Sequence, residues 1–299
     1  MEILRTIVAG AALAACAGCG LERPATPWEP MDEEISVHSV LLAGTDTASV
    51  LLTRVRWSYQ TWDEPYSTPL AGATVRLITG RDTLRLLPQS GEGDRCTAPS
   101  LSPWQRLGDM RAGCYLAAVP GGVRAGGRYE LVIDLPDGGA IRGSAVVPEV
   151  PVILAPEGGT VFKVRWGFEP GGSASPVVVR WAGVERDQNI ELAIAPVRRE
   201  CSAGLQQASE NSGLHWLTVL GVDSVAIEAR FVDCRKEQAP PSLDAHLYLT
   251  AFDTTYTRYA KEMRRGGSAS RTKAAAGVSG AIGVFAGAAA ATVPITLVQ

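Results

Sequence analysis

Short runs in which apolar and polar side chains alternate recur along this chain, separated by clusters of Gly, Pro and Asp. A period of two puts successive side chains on opposite faces of a strand, so such runs build half-buried β-strands rather than amphipathic helices. Arg128-Tyr129-Glu130-Leu131-Val132-Ile133-Asp134-Leu135 alternates almost cleanly, turns at Pro136-Asp137-Gly138-Gly139 and returns over Ala140 to Val147. Two period-two runs around a turn cluster mark a β-hairpin. Leu51-Thr53-Val55-Trp57-Tyr59 shares one face of another strand, with Arg54, Arg56 and Ser58 on the other, and Ala73-Val75-Leu77 repeats the pattern. Further strands are expected over 160–168, 176–181, 189–195, 214–220, 224–232 and 242–251. One short helix is expected near 254–264, where Asp253 can cap it, Tyr256, Tyr259, Ala260 and Met263 share a face, and Gly266-Gly267 stops it. With 32 glycines and 19 prolines in 299 residues the composition suits a turn-rich all-β chain. No βαβ alternation occurs, so a doubly wound or barrel enzyme fold is not expected.

The first 15 residues, MEILRTIVAGAALAA, read as an exported address. Arg5 is followed by an apolar run from Ile7 to Ala15, too short to span a bilayer but matching a signal-peptide core. The run ends in Leu13-Ala14-Ala15-Cys16, which resembles a bacterial lipobox: small residues beside the cut, then the cysteine whose thiol is acylated. Cys16 is then the mature N-terminus, anchored in membrane lipid by two or three acyl chains. The alternative is an ordinary secretory signal with an incidental cysteine. Residues 16–34 are rich in Ala, Gly, Pro and Glu without periodicity and read as a lipidated tether, with Asp32-Glu33-Glu34 as solvated charge. Cys19 lies inside it, and Cys16-Ala17-Gly18-Cys19 lacks the fold context of a redox motif.

Four cysteines remain: Cys96, Cys114, Cys201 and Cys234. Export permits disulfides, and Cys96–Cys114 with Cys201–Cys234 is the economical choice among three connectivities. Free buried thiols are an alternative. A four-cysteine zinc site is disfavoured because zinc ligands come in close pairs.

Prolines at 148, 151 and 156 with Gly158-Gly159 mark residues 149–159 as a linker. It divides an expected immunoglobulin- or transthyretin-like β-sandwich over 35–148 from a second β-sandwich-like domain over 160–299. From Ala274 to Gln299 no residue is charged. The stretch Ala274–Thr292 is mostly Ala, Gly and Ser, which contribute little to membrane insertion. The expectation is therefore a buried Gly/Ala-rich segment followed by a terminal strand.

The chemistry in the sequence is sparse. A net charge of −3, from 28 basic and 31 acidic residues, leaves no electrostatic footprint for nucleic acid. His38, His215 and His246 are the only histidines. No P-loop, G-x-S-x-G or H-E-x-x-H occurs. Ser270-Arg271-Thr272-Lys273 is formally S-x-x-K but lacks the companion elements of that chemistry. His246 shares a strand face with Asp244 and Tyr248, opposite Leu243, Ala245, Leu247 and Leu249, as an exposed polar face would; a ligand or proton-transfer site is the alternative. The stretch Trp57-Ser58-Tyr59-Gln60-Thr61-Trp62-Asp63-Glu64-Pro65-Tyr66 leaves a strand and enters a loop, and its aromatics can bind a glycan, a peptide or a protein partner, or pack against the core. Trp104, inside the Cys96–Cys114 loop, is similarly ambiguous. The reading is non-catalytic, with no cofactor and no metal.

In order along the chain, the lipobox at Cys16, Pro69-Leu70-Ala71-Gly72-Ala73-Thr74-Val75-Arg76-Leu77, Gly127-Arg128-Tyr129-Glu130-Leu131-Val132-Ile133 with Val146-Val147-Pro148, and Gly280-Ala281-Ile282-Gly283-Val284-Phe285-Ala286-Gly287 carry a resemblance. They are similar to the lipobox, "gA-x-V-x-L", "G-x-x-Y-x-L-x-V … vP" and "G-x-G-x-F-g" elements of domain-of-unknown-function family 4249, exported lipoproteins of diderm bacteria rich in TonB-dependent transporters. The cysteines and the Arg-rich, Lys-poor composition depart from that pattern. The resemblance implies an outer-membrane lipoprotein acting as an accessory or ligand-capture partner of a TonB-dependent transporter, and it carries no catalytic residue. A structural or adhesive envelope protein is the alternative, and a hydrolase a more distant one.

Overall fold

A computed structural model of the chain describes residues 33–56, 66–89, 96, 113–166, 176–196, 203–207, 216–231, 242–265 and 275–298. Its strands follow the period-two runs. β1 (Glu34–Leu42), β2 (Thr47–Arg56) and β3 (Tyr66–Pro69) are successive antiparallel neighbours. β4 (Thr74–Thr79) and β5 (Asp82–Pro88) form a hairpin, and β6 (Cys114–Ala118) returns to pair with β2. The expected hairpin around Pro136–Gly139 is present as β7 (Arg128–Asp134) and β8 (Ala140–Val146), closed by the pair Asp134↔Ala140. β4, β5, β7 and β8 face β1, β2 and β6 across a core that includes Val37, Leu52, Leu77, Tyr115, Leu131 and Ile141. Tyr115 and Tyr129 are buried among these apolar groups. The Tyr115 hydroxyl donates to the Leu70 carbonyl at 3.1 Å, and the Tyr129 hydroxyl accepts the Arg124 N–H at 2.8 Å, so neither leaves a polar group unsatisfied.

On β2 the sandwich core takes Ala48, Val50 and Leu52, yet the opposite face with Leu51, Thr53 and Val55 is buried too. A strand covered on both sides carries no polar face to mark its orientation.

The stretch expected as a linker contains a strand, β9 (Val152–Ala155). It pairs with the strand Val177–Ala182 and is held to four residues between Pro151 and Pro156, which lack the N–H a longer ladder would need. β10 (Thr160–Trp166), β11 (Val177–Ala182), β12 (Asn189–Pro196), β13 (Ala203–Gln207), β14 (Trp216–Leu220), β15 (Ser224–Phe231) and β16 (Ser242–Phe252) complete a second sandwich. One sheet contains β14, β12 and β16, and the other β9, β11, β15 and β13. Between them lie Phe162, Val179, Trp181, Leu192, Ile227, Leu247 and Leu249. Among the described residues the fold is all-β with one short helix, α1 (Thr254–Arg265), where a helix was expected.

After the short strands β17 (Ala275–Ala276) and β18 (Val278–Ser279), the chain ends in β19 (Ile282–Val298). Most of the charge-free segment is thus one strand of 17 residues, roughly 55 Å long at about 3.3 Å per residue. Its first half pairs in parallel with β1, from Ser36↔Ile282 to Leu42↔Ala288. Its second half pairs antiparallel with β16 and in parallel with β10. The sheet of residues 34–146 is therefore completed by the C-terminal strand, which also belongs to the second sandwich. Phe285 points into the first core, while Val284, Ala286 and Ala288 pack with Val40, Phe252 and Tyr256 on the α1 side. Burial on both faces explains the run of small apolar residues. A Cβ on Gly283 would stand 2.0 Å from the Val37 carbonyl oxygen, so that approach needs glycine. Among the described residues no helix is long and apolar enough to cross a membrane.

Candidate functional site

β2 is the element that gathers the anchor points of the sequence's binding candidates. Its last four residues pair with β3, from Thr53↔Pro69 to Arg56↔Tyr66. Its first five pair with β6, from Thr47↔Ala118 to Leu51↔Cys114. β3 and β6 thus follow one another along β2, and the Leu70 N–H extends the β3 ladder to Leu52 O at 3.0 Å. Gly113 fits where they meet: a Cβ there would come 2.2 Å from Leu52 O and 3.3 Å from the Pro69 Cα. Cys114, fully buried, forms the expected disulfide with Cys96, with Cα atoms 5.4 Å apart.

Trp57, Tyr59 and Trp62 lie in residues 57–65 and Trp104 in residues 97–112, outside the described residues. Tyr66 opens β3 through its backbone, opposite Arg56. The structure therefore fixes where the aromatic segment and the disulfide-closed segment are attached: the first connects β2 to β3, and the second enters β6, which also pairs with β2. Cys16, Cys19, Cys201, Cys234, His215 and Ser270–Lys273 also fall outside the described residues.

His246 lies on β16 as expected, partly exposed with Tyr248 and Asp244, and its ring centroid is 6.1 Å from that of Tyr248. Its register partners are Ala195 and Pro294, neither of which brings a second titratable group. Among the described residues no group of three His, Cys, Asp or Glu could hold a metal ion.

Two features were missed by sequence reasoning. Asp253 caps α1 as expected, its Oδ1 accepting the Tyr256 N–H at 2.8 Å. Its second role was not visible: Oδ2 accepts the Gly287 N–H of β19 at 2.9 Å. Thr257 continues the tie, donating to Asp253 O at 3.0 Å and accepting the Asn189 N–H at 2.8 Å. Burial pushes the Asp253 carboxyl up to about 6, against the four backbone hydrogen bonds that favour its ionised form. On β1, His38 is half-buried, and desolvation lowers its imidazole to about 4. The second feature is a concentration of arginines on the exposed face of the β5–β4–β7–β8 sheet, Arg76, Arg85, Arg128 and Arg142. The alternation of Arg with apolar residues was its sequence signal, but only strand register aligns them.

No family model matches the chain, and no curated protein matches it. Among solved structures it is similar to fibronectin(III)-like modules of Clostridium thermocellum CbhA, at 9% identity, TM-score 0.20, over 88% of this chain and 93% of that one. It is also similar to CfaE, the adhesive subunit of CFA/I fimbria of enterotoxigenic Escherichia coli, at 8% identity, TM-score 0.23, over 89% of this chain and 87% of that one. A pair of tandem immunoglobulin domains of titin matches at 10% identity, TM-score 0.17, over 89% of this chain and 98% of that one.

Proposed function

We propose that this chain is a non-catalytic lipoprotein of the bacterial cell envelope, anchored through Cys16 and working as an accessory or ligand-capture partner of a TonB-dependent outer-membrane transporter. The observation that carries a binding role is the pairing Arg56↔Tyr66, which holds both ends of residues 57–65 on adjacent strands of a disulfide-braced sheet. That connection carries Trp57, Tyr59 and Trp62, side chains that supply much contact area for little conformational entropy. The lipobox and the family resemblance support the envelope and the transporter partner.

Crosslinking of the tagged protein in its native host, followed by affinity capture and mass spectrometry, tests this reading. One outer-membrane transporter should be recovered reproducibly. It should be lost with Cys16→Ala and weakened when Trp57 and Trp62 are replaced by Ala. Recovery of envelope structural proteins alone sinks the transporter role.

A second reading, a structural or adhesive envelope protein, has its own support in β19. One uninterrupted strand joined to both sandwiches favours a stiff body over a hinged one. The same capture experiment separates the two.

A further inference from the structure

The outward face of the β5–β4–β7–β8 sheet has a charge pattern that strand register makes explicit. Arg85 on β5 stands directly opposite Arg76 on β4. Arg76 stands opposite Val132 on β7, and Val132 opposite Arg142 on β8. Arg85, Arg76 and Arg142 therefore lie in one row across four strands, roughly 14 Å from end to end at about 4.8 Å per strand. Val132, between Arg76 and Arg142 in the row, is 5% exposed although it points away from the core. Arg128 adds a fourth cation on the same face of β7. Against these stand two carboxylates, Glu130 and Asp134, and Asp134 is paired with Arg76. Among the described residues Arg85, Arg128 and Arg142 have no carboxylate at ion-pair distance.

Two arginines directly opposite one another weaken a sheet. This row sits in a chain whose net charge is −3, so it does not follow from a generally basic surface. Guanidinium groups match phosphate oxygens with paired hydrogen bonds. The face also exposes Leu87 and Val146, at 61% and 42%, and among the described residues its four strands present no outward aromatic side chain on which a sugar or a base could stack.

We propose that this face docks on the phosphate headgroups of an anionic lipid surface. Charge complementarity selects the occupant: a broad exposed array of arginines with flanking aliphatic groups, and no stacking platform among the described residues, fits lipid headgroups better than a glycan or a nucleic acid. The arginines would add an electrostatic contact to the one that acylation of Cys16 provides, a pairing of signals that makes membrane attachment stable. The inference rests on the envelope reading for its setting, but not on the aromatic segment or on any transporter.

The test uses residues 33–299 without the anchor. This is one compact unit that contains every described strand and all three hydrophobic clusters, so it carries its own core. Co-sedimentation is measured with vesicles of phosphatidylglycerol mixed into phosphatidylcholine, and with phosphatidylcholine alone. The expected result is partitioning onto the anionic vesicles only, weakening as salt is raised. R85Q/R142Q should lower the partition coefficient by roughly twentyfold, and E130Q should raise it severalfold. Circular dichroism confirms that both variants are folded, and the opposite directions of the two variants separate charge from damage. Equal partitioning onto neutral vesicles overturns the proposal, as does indifference to R85Q/R142Q. Displacement from the vesicles by millimolar inorganic phosphate reassigns the face to a free anion. Retention on polygalacturonate, lost in R85Q/R142Q and without vesicle binding, reassigns it to an acidic glycan. Failure of any of these leaves acylation at Cys16 and transporter capture untouched, because neither is in the assay.

Discussion

Asp253 and Gly287 are bonded to each other twice: the Asp253 N–H donates to the Gly287 carbonyl at 2.9 Å, and the Gly287 N–H donates to the Asp253 carboxylate at 2.9 Å. The same carboxylate caps α1. One side chain therefore fixes the helix to the strand that runs through both sandwiches. Asp253→Ala leaves backbone N–H groups, those of Tyr256 and Gly287 first among them, without their acceptor, each costing about 1–3 kcal/mol. Denaturant unfolding should show a loss of about 2–4 kcal/mol. A loss below about 1 kcal/mol would show that water replaces the carboxylate.

Gly287 is also the point where β19 presses on the end of β8. A Cβ there would stand 2.5 Å from the Val147 Cα and 2.7 Å from the Val146 carbonyl oxygen, both backbone atoms that cannot swing aside. Gly287→Ala should cost about 2–3 kcal/mol or prevent folding, as overpacking does. Gly158→Ala is the control, because its nearest neighbour is the Pro294 side chain at 3.6 Å and the change should stay within about 0.5 kcal/mol. Equal effects of the two would mean that β19 shifts freely.

The strands themselves were legible where one face meets water. β7 and β8 alternate, and their turn residues fixed the hairpin; Asp253 announced the helix. β19 was legible as buried and Gly-rich, but its partners were not. Nothing local in Gly283 or Phe285 says that the neighbouring strand is β1, 246 residues earlier in sequence. β9 hid among prolines because four residues are too few to show a period. The arginine row failed for a related reason: each Arg is an ordinary outward residue of its own strand, and only register puts Arg85 beside Arg76.

The Cys96–Cys114 bridge closes a loop of 18 residues in sequence separation. In the chain-entropy account such a bridge stabilises by about 3 kcal/mol through the unfolded state. Cys96→Ser with Cys114→Ala should lower the denaturation midpoint accordingly. Adding a reductant should then have no further effect on the double variant through this pair. An unchanged midpoint would mean that the bridge adds nothing beyond the β2–β6 ladder.

The opposed arginines predict a gain rather than a loss. Arg85→Glu replaces a like-charge pair with an ion pair opposite Arg76 and should stabilise the sheet by about 0.5 kcal/mol in low salt. The gain should shrink as salt is raised, because both groups are partly or fully exposed. A variant that is more stable yet binds anionic vesicles less would separate the folding role of the row from its docking role. Destabilisation by Arg85→Glu would mean that Arg85 already has a favourable setting.

Asp253 and His38 should give pH dependences of opposite sign. The Asp253 carboxyl titrates at about 6 in the fold against an ordinary 3.8, because burial disfavours its charge. Its contribution to stability is full below 3.8 and is lost as pH rises through 6, by about 3 kcal/mol in all. His38 titrates at about 4 against an ordinary 6.5, again through burial. Its contribution is full above 6.5 and is lost as pH falls through 4. Over the window from 4 to 6 the two partly cancel in the wild-type protein, and substitution exposes each. Relative to wild type, Asp253→Asn should become progressively more stable as pH rises from 4 to 6. His38→Gln should become progressively more stable as pH falls from 6.5 to 4. Urea midpoints at half-unit intervals read both slopes, and all other titrating groups drop out of the comparison because they are shared. Parallel slopes in the two variants would show that at least one of these side chains meets water in the folded protein.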